Sequence, residues 1–361
     1  MFQKGKIMEV AFTYPSYFDE LIDRLIKRDW LVHNFSLTDG LDIYNFSNYK
    51  YNKLKSNVKY TIYLDLNIYQ FIVNSVKKDF VKDDFKDAIA LVAFCQLAEI
   101  EIEPAFAVYE KLNYSTDKKL LNEVTSDLEI FHGVNNAYNA DLALYALGIK
   151  DKLVISDYKI EHDKVQGKLI KYRRLKEWDS LYVMVLYITL VSLDDSLTKR
   201  QKLNSVVDWM AKDFRFSLVA ITFASVFFGQ KPLKKMMKFK ASQTAEDKLN
   251  SLFNMTWDLY ILNRYFRMWT ERESNDEALF ASGDKAFNEI LRISVNVQNK
   301  GGLSAFGDFL SQSDIDYLDM IISEPENHFH RTYTSEQWSP EHRAKLIEKY
   351  EKMLGVSSLE T

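Results

Sequence analysis

Cysteine is almost absent. Cys95 stands alone in 361 residues, which excludes an internal disulfide and suits a reducing compartment. Glycine (11) and proline (5) are scarce, and few breakers mean few tight turns and many helices. There is no excess of positive charge. The formal net charge is −4, so phosphate binding, which is driven by Lys and Arg, must come from local basic patches. Long hydrophobic runs are missing too. The longest, at 181–193 and 216–229, fall short of the roughly 20 residues that a membrane-spanning helix needs and read as buried helices. The opening MFQKGKIMEVAF has no long apolar core followed by a small-residue cleavage site, so a secretory leader is not expected and a cytoplasmic location is. Repeats, low-complexity tracts and a phosphate-cradling glycine loop are lacking as well.

What remains is a chain that is 47% hydrophobic and 14% aromatic, enough for one large core or two domains. YFDELIDRLIKRDW spaces Phe18, Leu21, Ile22, Leu25, Ile26 and Trp30 as one helical face. The polar and aromatic stretch 34–53 reads as loop or short strand. KYTIYLDLN at 59–67 reads as a buried strand, rich in β-branched and aromatic residues, that ends on Asp65. A helix follows from Ile68, then a clear one over 79–100 that holds Cys95. IEIEPA at 100–105 alternates as a short strand ended by Pro104, and Glu110 falls in the first turns of the next helix. Residues 112–255 read as mostly helical, interrupted by one strand candidate, KLVIS at 152–156. ALFAS at 278–282 is a strand that leads to Gly283 and Asp284; KAFNEILRI is a helix, and SVNVQ at 294–298 alternates like a last strand. Ser339, Pro340 and Glu341 spell a helix start.

Asp65 has two readings. It caps the helix that follows, or it stands at the carboxyl edge of a sheet, where ligands of open α/β sheets sit. Three more acids favour the second. Glu110 follows the second strand; Asp284 follows the last apolar strand; Asp258 lies in the helix before it, on one face with Asn254, Ile261 and Leu262. Gathered carboxylates repel and need a cation. Oxygen-only ligands select Mg²⁺ or Mn²⁺, and such a cluster suits metal-assisted phosphodiester hydrolysis.

LDLN at 64–67, Glu110 after a short strand, WDLYILNRYF at 257–266 and FASGDKAF at 280–287 resemble the four acidic motifs of PIN-domain nucleases. The resemblance implies metal ligands Asp65, Glu110, Asp258 and Asp284, with Asn67 and Ser282 as supporting hydrogen-bonders. It implies an α/β fold, an α/β/α sandwich around a short parallel sheet, Mg²⁺ or Mn²⁺, and endoribonuclease activity, with DNA as the other substrate class. The core would be 58–115 and 250–300, with a helical extension at 1–57, a helical insertion at 116–249 and a helical tail at 301–361. The gaps from Glu110 to Asp258 and from Asp258 to Asp284 are longer than in compact members. A rival alignment takes Asp141 and Asp157 as the third and fourth acids. Asp258 and Asp284 are preferred because Asp284 is followed by an apolar helix and SVNVQ, whereas Asp157 is followed by the polar YKIEHDKVQGK.

Two basic stretches, 164–176 and 231–240, offer Lys171, Arg173, Arg174, Lys176, Lys234, Lys235, Lys238 and Lys240 as grips for RNA phosphates. A solvated charged face is the plainer reading. His328, His330 and His342 lie in a polar tail that reads as solvated loop rather than metal site. Trp178, Trp209 and Trp257 sit in apolar helices and read as core. Two further functions stay open: a PIN-like protein that no longer cuts and uses its insertion to bind a protein partner or a second copy, and an unrelated helical scaffold whose acids are caps. No membrane role is expected.

Overall fold

The computed structural model describes residues 13–33, 42–171, 175, 177–271, 275–325 and 339–356. The class is α/β: mostly helix, with one four-stranded mixed sheet. The chain divides into two compact units. The first is Met1–Lys171 with Trp269–Gly283, the second Tyr172–Met268 with Asp284–Thr361. This division cuts the chain elsewhere than at 58–115 and 250–300.

The sheet belongs to the first unit. Its strands are β1 (Leu31–His33), β2 (Lys59–Leu64), β3 (Glu101–Glu103) and β4 (Asp276–Ala281), in the order β1-β4-β2-β3. β2 runs parallel to both β3 and β4, whereas β1 pairs antiparallel with β4. In β2 the period of two sends Tyr60, Ile62 and Leu64 to one face, all buried. They join a core with Ile68 and Ile72 of α3 (Leu66–Lys77) and with α4 (Asp83–Ala98). On the opposite face Tyr63 meets the ring of Phe106, at 5.2 Å between centroids, from α5 (Ala105–Leu112). α4 is buried around most of its girth, Cys95 included. It packs against α1 (Tyr17–Arg28), α2 (Phe46–Ser56), α3 and α7 (Asn139–Ala146). Its one deeply buried acid, Asp87, is 4% exposed and is gripped by Arg24 and Arg28 of α1. α6 (Lys118–Asn135) packs on α3 and α5, and α8 (His162–Leu169) on α6.

Three local expectations are corrected. Residues 46–56 form α2 rather than loop or strand, because Asn45 caps the helix at Ser47 N and Phe46 and Tyr49 are buried. KLVIS is irregular. Val154 is 61% exposed and Ser156 N donates to Gly133 O of α6, so the β-branched pattern there has no buried face to serve. SVNVQ is no strand. α13 (Lys285–Asn296) runs through it, because Ser294 and Val295 continue the helical spacing of Phe287, Ile290 and Leu291, and a π-helical turn at Val297–Gly301 follows. With that strand goes half of the argument that favoured Asp284 over Asp157; the other half, the apolar helix after Asp284, is present as α13.

The second unit is helical. It holds α9 (Trp178–Ser192), α10 (Lys199–Lys212), α11 (Leu218–Phe227), most of α12 (Ala245–Glu271), α13, α14 (Gln312–Ser323) and α15 (Pro340–Leu354). α9 packs on α10, α11 and α15. Trp178, Tyr182, Phe253 and Trp257 form one ring cluster with centroids 5.2–6.2 Å apart. Trp178, Trp209 and Trp257 are core residues, each at most 5% exposed. Ser339 caps α15 with Pro340 at the first position. Among the described residues no helix is long and apolar enough to cross a membrane.

Candidate functional site

In the first unit the register Leu64↔Ala281 ends two parallel neighbours together. The chain leaves β2 at Asp65 and β4 at Ser282. Asp65 N still donates to Ala281 O at 2.9 Å, and Ser282 N to Trp30 O at 3.1 Å. Asp65 then caps α3: its Oδ1 accepts from Leu66 N at 2.8 Å. An acid here interacts favourably with the amide dipoles of the first turn. Its Oδ2 accepts from Asn67 Nδ2 and from Ser282 Oγ, the latter at 2.5 Å. The Asn67 carbonyl oxygen accepts in turn from Gly283 N at 2.9 Å. Space is tight at Gly283, where a Cβ would stand 3.1 Å from that same oxygen. The structure thus brings Asp65, Asn67 and Ser282 into one hydrogen-bonded group.

Glu110 lies half-buried on α5. Beside it is a network that the sequence did not announce. Lys111 reaches Asp127 and Glu123, both at 2.6 Å, and Lys77 reaches Asp127 at 2.8 Å. Asp127 is 3% exposed. Burial pulls the Lys111 ammonium down, but Asp127 and Glu123 together lift it above its ordinary value. Lys111 in turn holds Glu123 below the usual carboxylate range. The network ties α3, which Asp65 caps, to α5, which carries Glu110. The rival acids sit differently. Asp141, in α7, pairs with Lys150 at 2.7 Å, and Asp157 lies in the irregular segment with 87% of its side chain exposed.

Asp258 and Asp284 belong to the second unit. They line one cavity of about 20 Å³ with Lys235, Lys238, Phe223 and Leu262. Asp258 Oδ2 meets Lys238 Nζ at 2.6 Å, the two side chains being 27% and 32% exposed. Burial lifts the Asp258 carboxyl above its ordinary value; Lys238 pulls it back and Asp284 pushes it up further. Asp284 caps α13, accepting from Ala286 N at 2.9 Å and Phe287 N at 3.2 Å.

Lys234 and Lys235 are exposed, while Met236 and Phe239 of the same segment are buried. Lys238, expected to face RNA, is engaged by Asp258. Arg173, Arg174, Lys176, His328 and His330 lie outside the described residues. Among the described residues no group of three or more His, Cys, Asp or Glu side chains that could hold a metal ion is found. No family model, curated protein or solved structure matches the chain.

Proposed function

We propose that the chain is a divalent-metal-dependent phosphodiesterase of the PIN-like kind, organised as an α/β/α sandwich and acting on RNA. One observation carries the reading: β2 and β4 end side by side, and the acid at that edge, Asp65, is gripped by Asn67 and Ser282. The donor chemistry fits the ion, because carboxylate oxygens suit Mg²⁺ or Mn²⁺. Within the first unit the acids proposed to hold it are Asp65 and Glu110; Asp258 and Asp284, of the second unit, are proposed as a separate acid pair. A bound ion of this kind activates water and stabilises charge on the phosphate. The chain's own part is orientation. Asn67 and Ser282 fix the Asp65 carboxylate, as neighbours of metal ligands do. The Lys77–Asp127–Lys111 network steadies the helix of Glu110, and Lys234 and Lys235 offer charge to phosphates.

A second reading, a binding protein that does not cut, draws on a different observation. Lys238 already neutralises Asp258, which lessens the need for an ion there. A labelled single-stranded RNA, with a DNA of the same sequence beside it, separates the two. On the proposal the wild type cuts RNA with Mn²⁺, and EDTA or Asp65→Asn stops it. Retention of RNA without any cutting points to the second reading. Full activity in Asp65→Asn removes Asp65 from the chemistry.

A further inference from the structure

A single exposed apolar side chain is ordinary. Phe80, 51% exposed in the link 78–82 between α3 and α4, is set apart by how its ring is held. It stacks on Phe85 of α4, with centroids 5.9 Å apart and planes 28° from parallel. Lys82 Nζ lies 5.1 Å from the Phe80 ring and 6.0 Å from that of Phe85. Three distances so nearly equal put the ammonium and Phe85 on the same side of Phe80, and the other face of the ring is open to solvent. The support is firm. Phe85 is buried and meets Phe71 of α3 at 6.3 Å, and Phe71 meets Trp30 at 6.1 Å. Trp30 ends this run at the sheet edge, where its Nε1 lies 3.7 Å from the place a Cβ of Gly283 would take. An open ring thus stands three ring-to-ring steps from the loop that holds Asp65 and Asn67.

The charges beside the ring are mixed but unequally engaged. Asp83 and Asp84 face Arg24 and Arg28 of α1 at 3.8 and 2.9 Å, and Asp87 is gripped by both arginines. In the link itself Lys78 and Lys82 stand against Asp79, all exposed. A protein anchor belongs to a wider apolar patch, whereas the neighbours of Phe80 in the link are charged apart from Val81. An aromatic face beside lysines suits a single-stranded base: the base stacks on the ring and an ammonium takes the phosphate. We propose that Phe80 is a stacking platform for a base of single-stranded RNA, with Lys78 and Lys82 at its phosphates, on the strand that leads to the Asp65 edge. The inference rests on the RNA reading and adds to it where the strand lies. Stacking needs no metal ion, so it is separable from cutting.

The test is fluorescence anisotropy of a labelled single-stranded RNA with the full chain in EDTA. The proteins are wild type, Phe80→Ala, Phe80→Trp, Lys82→Gln and Leu54→Ala, the last at a 70% exposed apolar position of α2. Phe80→Ala is expected to weaken binding by about 5–150-fold, the loss of one stacked base. Phe80→Trp keeps or tightens it, and Leu54→Ala stays near wild type. Lys82→Gln should lower the slope of log K against log salt by about 0.7, one phosphate of a single strand. Inorganic polyphosphate, which has charge but no bases, should bind wild type and Phe80→Ala alike. If wild type binds RNA and Phe80→Ala binds it as well, or Phe80→Ala weakens polyphosphate as much as RNA, the stacking role is overturned and the RNA reading stands. If wild type binds no RNA, the RNA reading is overturned and the stacking role with it; self-association lost in Phe80→Ala by sedimentation would then mark the ring as a protein contact.

Discussion

Asp65 in the first unit takes hydrogen bonds from a backbone amide, a side-chain amide and a hydroxyl, whereas Asp258 in the second takes an ammonium. Neutral donors fix the direction of a carboxylate and add no charge of their own. An ammonium neutralises it. The sheet edge is therefore built for orientation, and the helical unit's acid is built around charge balance. Asp65 is also short-tethered, between a strand that its own amide still extends and a helix that its side chain caps. Asp258 sits mid-helix and answers to a lysine on an irregular segment.

The comparison can be broken or sharpened by substitution. The largest effect is expected beneath the sheet edge. Ile62 is fully buried in β2, so Ile62→Ala should cost about 2–5 kcal/mol of stability in urea unfolding. Thr61→Ala, on the half-buried face, should cost clearly less; equal losses would deny that one face of β2 carries the core. Next comes the orienting hydroxyl. Ser282→Ala should weaken Mn²⁺ binding by about 10–100-fold, whereas Lys212→Ala, exposed on α10, should leave it nearly unchanged. If the two variants behave alike, orientation at Asp65 has no special weight. Gly283→Ala should cost about 1 kcal/mol, a modest overpacking penalty, because the added Cβ crowds the Asn67 oxygen. A loss no smaller than that of Ile62→Ala would mean that the loop, rather than the core, sets stability at this edge.

The smallest expected effect is a pH slope. The folded Asp258 carboxyl binds its proton more tightly than the unfolded one, because burial raises it. Its contribution is full below the ordinary carboxylate value and is lost as pH rises through the raised one. Asp258→Asn should therefore flatten the stability curve above about pH 4, by less than about 1 kcal/mol given the partial exposure. A steeper curve in the variant would reverse the assigned sign.

Much of the first unit was legible. The run KYTIYL and the alternation IEIE announced β2 and β3, because period-two burial leaves its mark on composition, and the short apolar run ALFA announced β4, which is buried on both faces at its end. β1 did not announce itself, because its three residues are all buried and show no alternation, and α2 hid behind polar and aromatic residues whose burial is tertiary. SVNVQ alternates along the sequence, yet its buried positions also satisfy the helical period of α13. At the candidate site, the grouping of Asn67 and Ser282 around Asp65 follows from residues just past two strand ends. The Lys238–Asp258 pair does not, because 20 residues and an irregular segment separate the partners and nothing local marks a lysine as paired. The Lys77–Asp127–Lys111 network was hidden for the same reason: it joins three helices whose packing only the folded chain reveals.

Calorimetry of Mn²⁺ binding to wild type and to Asp65→Asn at pH 8, with circular dichroism to confirm that both are folded, tests the central claim most directly. The account predicts that wild type binds the ion and that Asp65→Asn, folded alike, does not. Equal Mn²⁺ binding by the two would contradict it and leave Asp65 as the cap of α3.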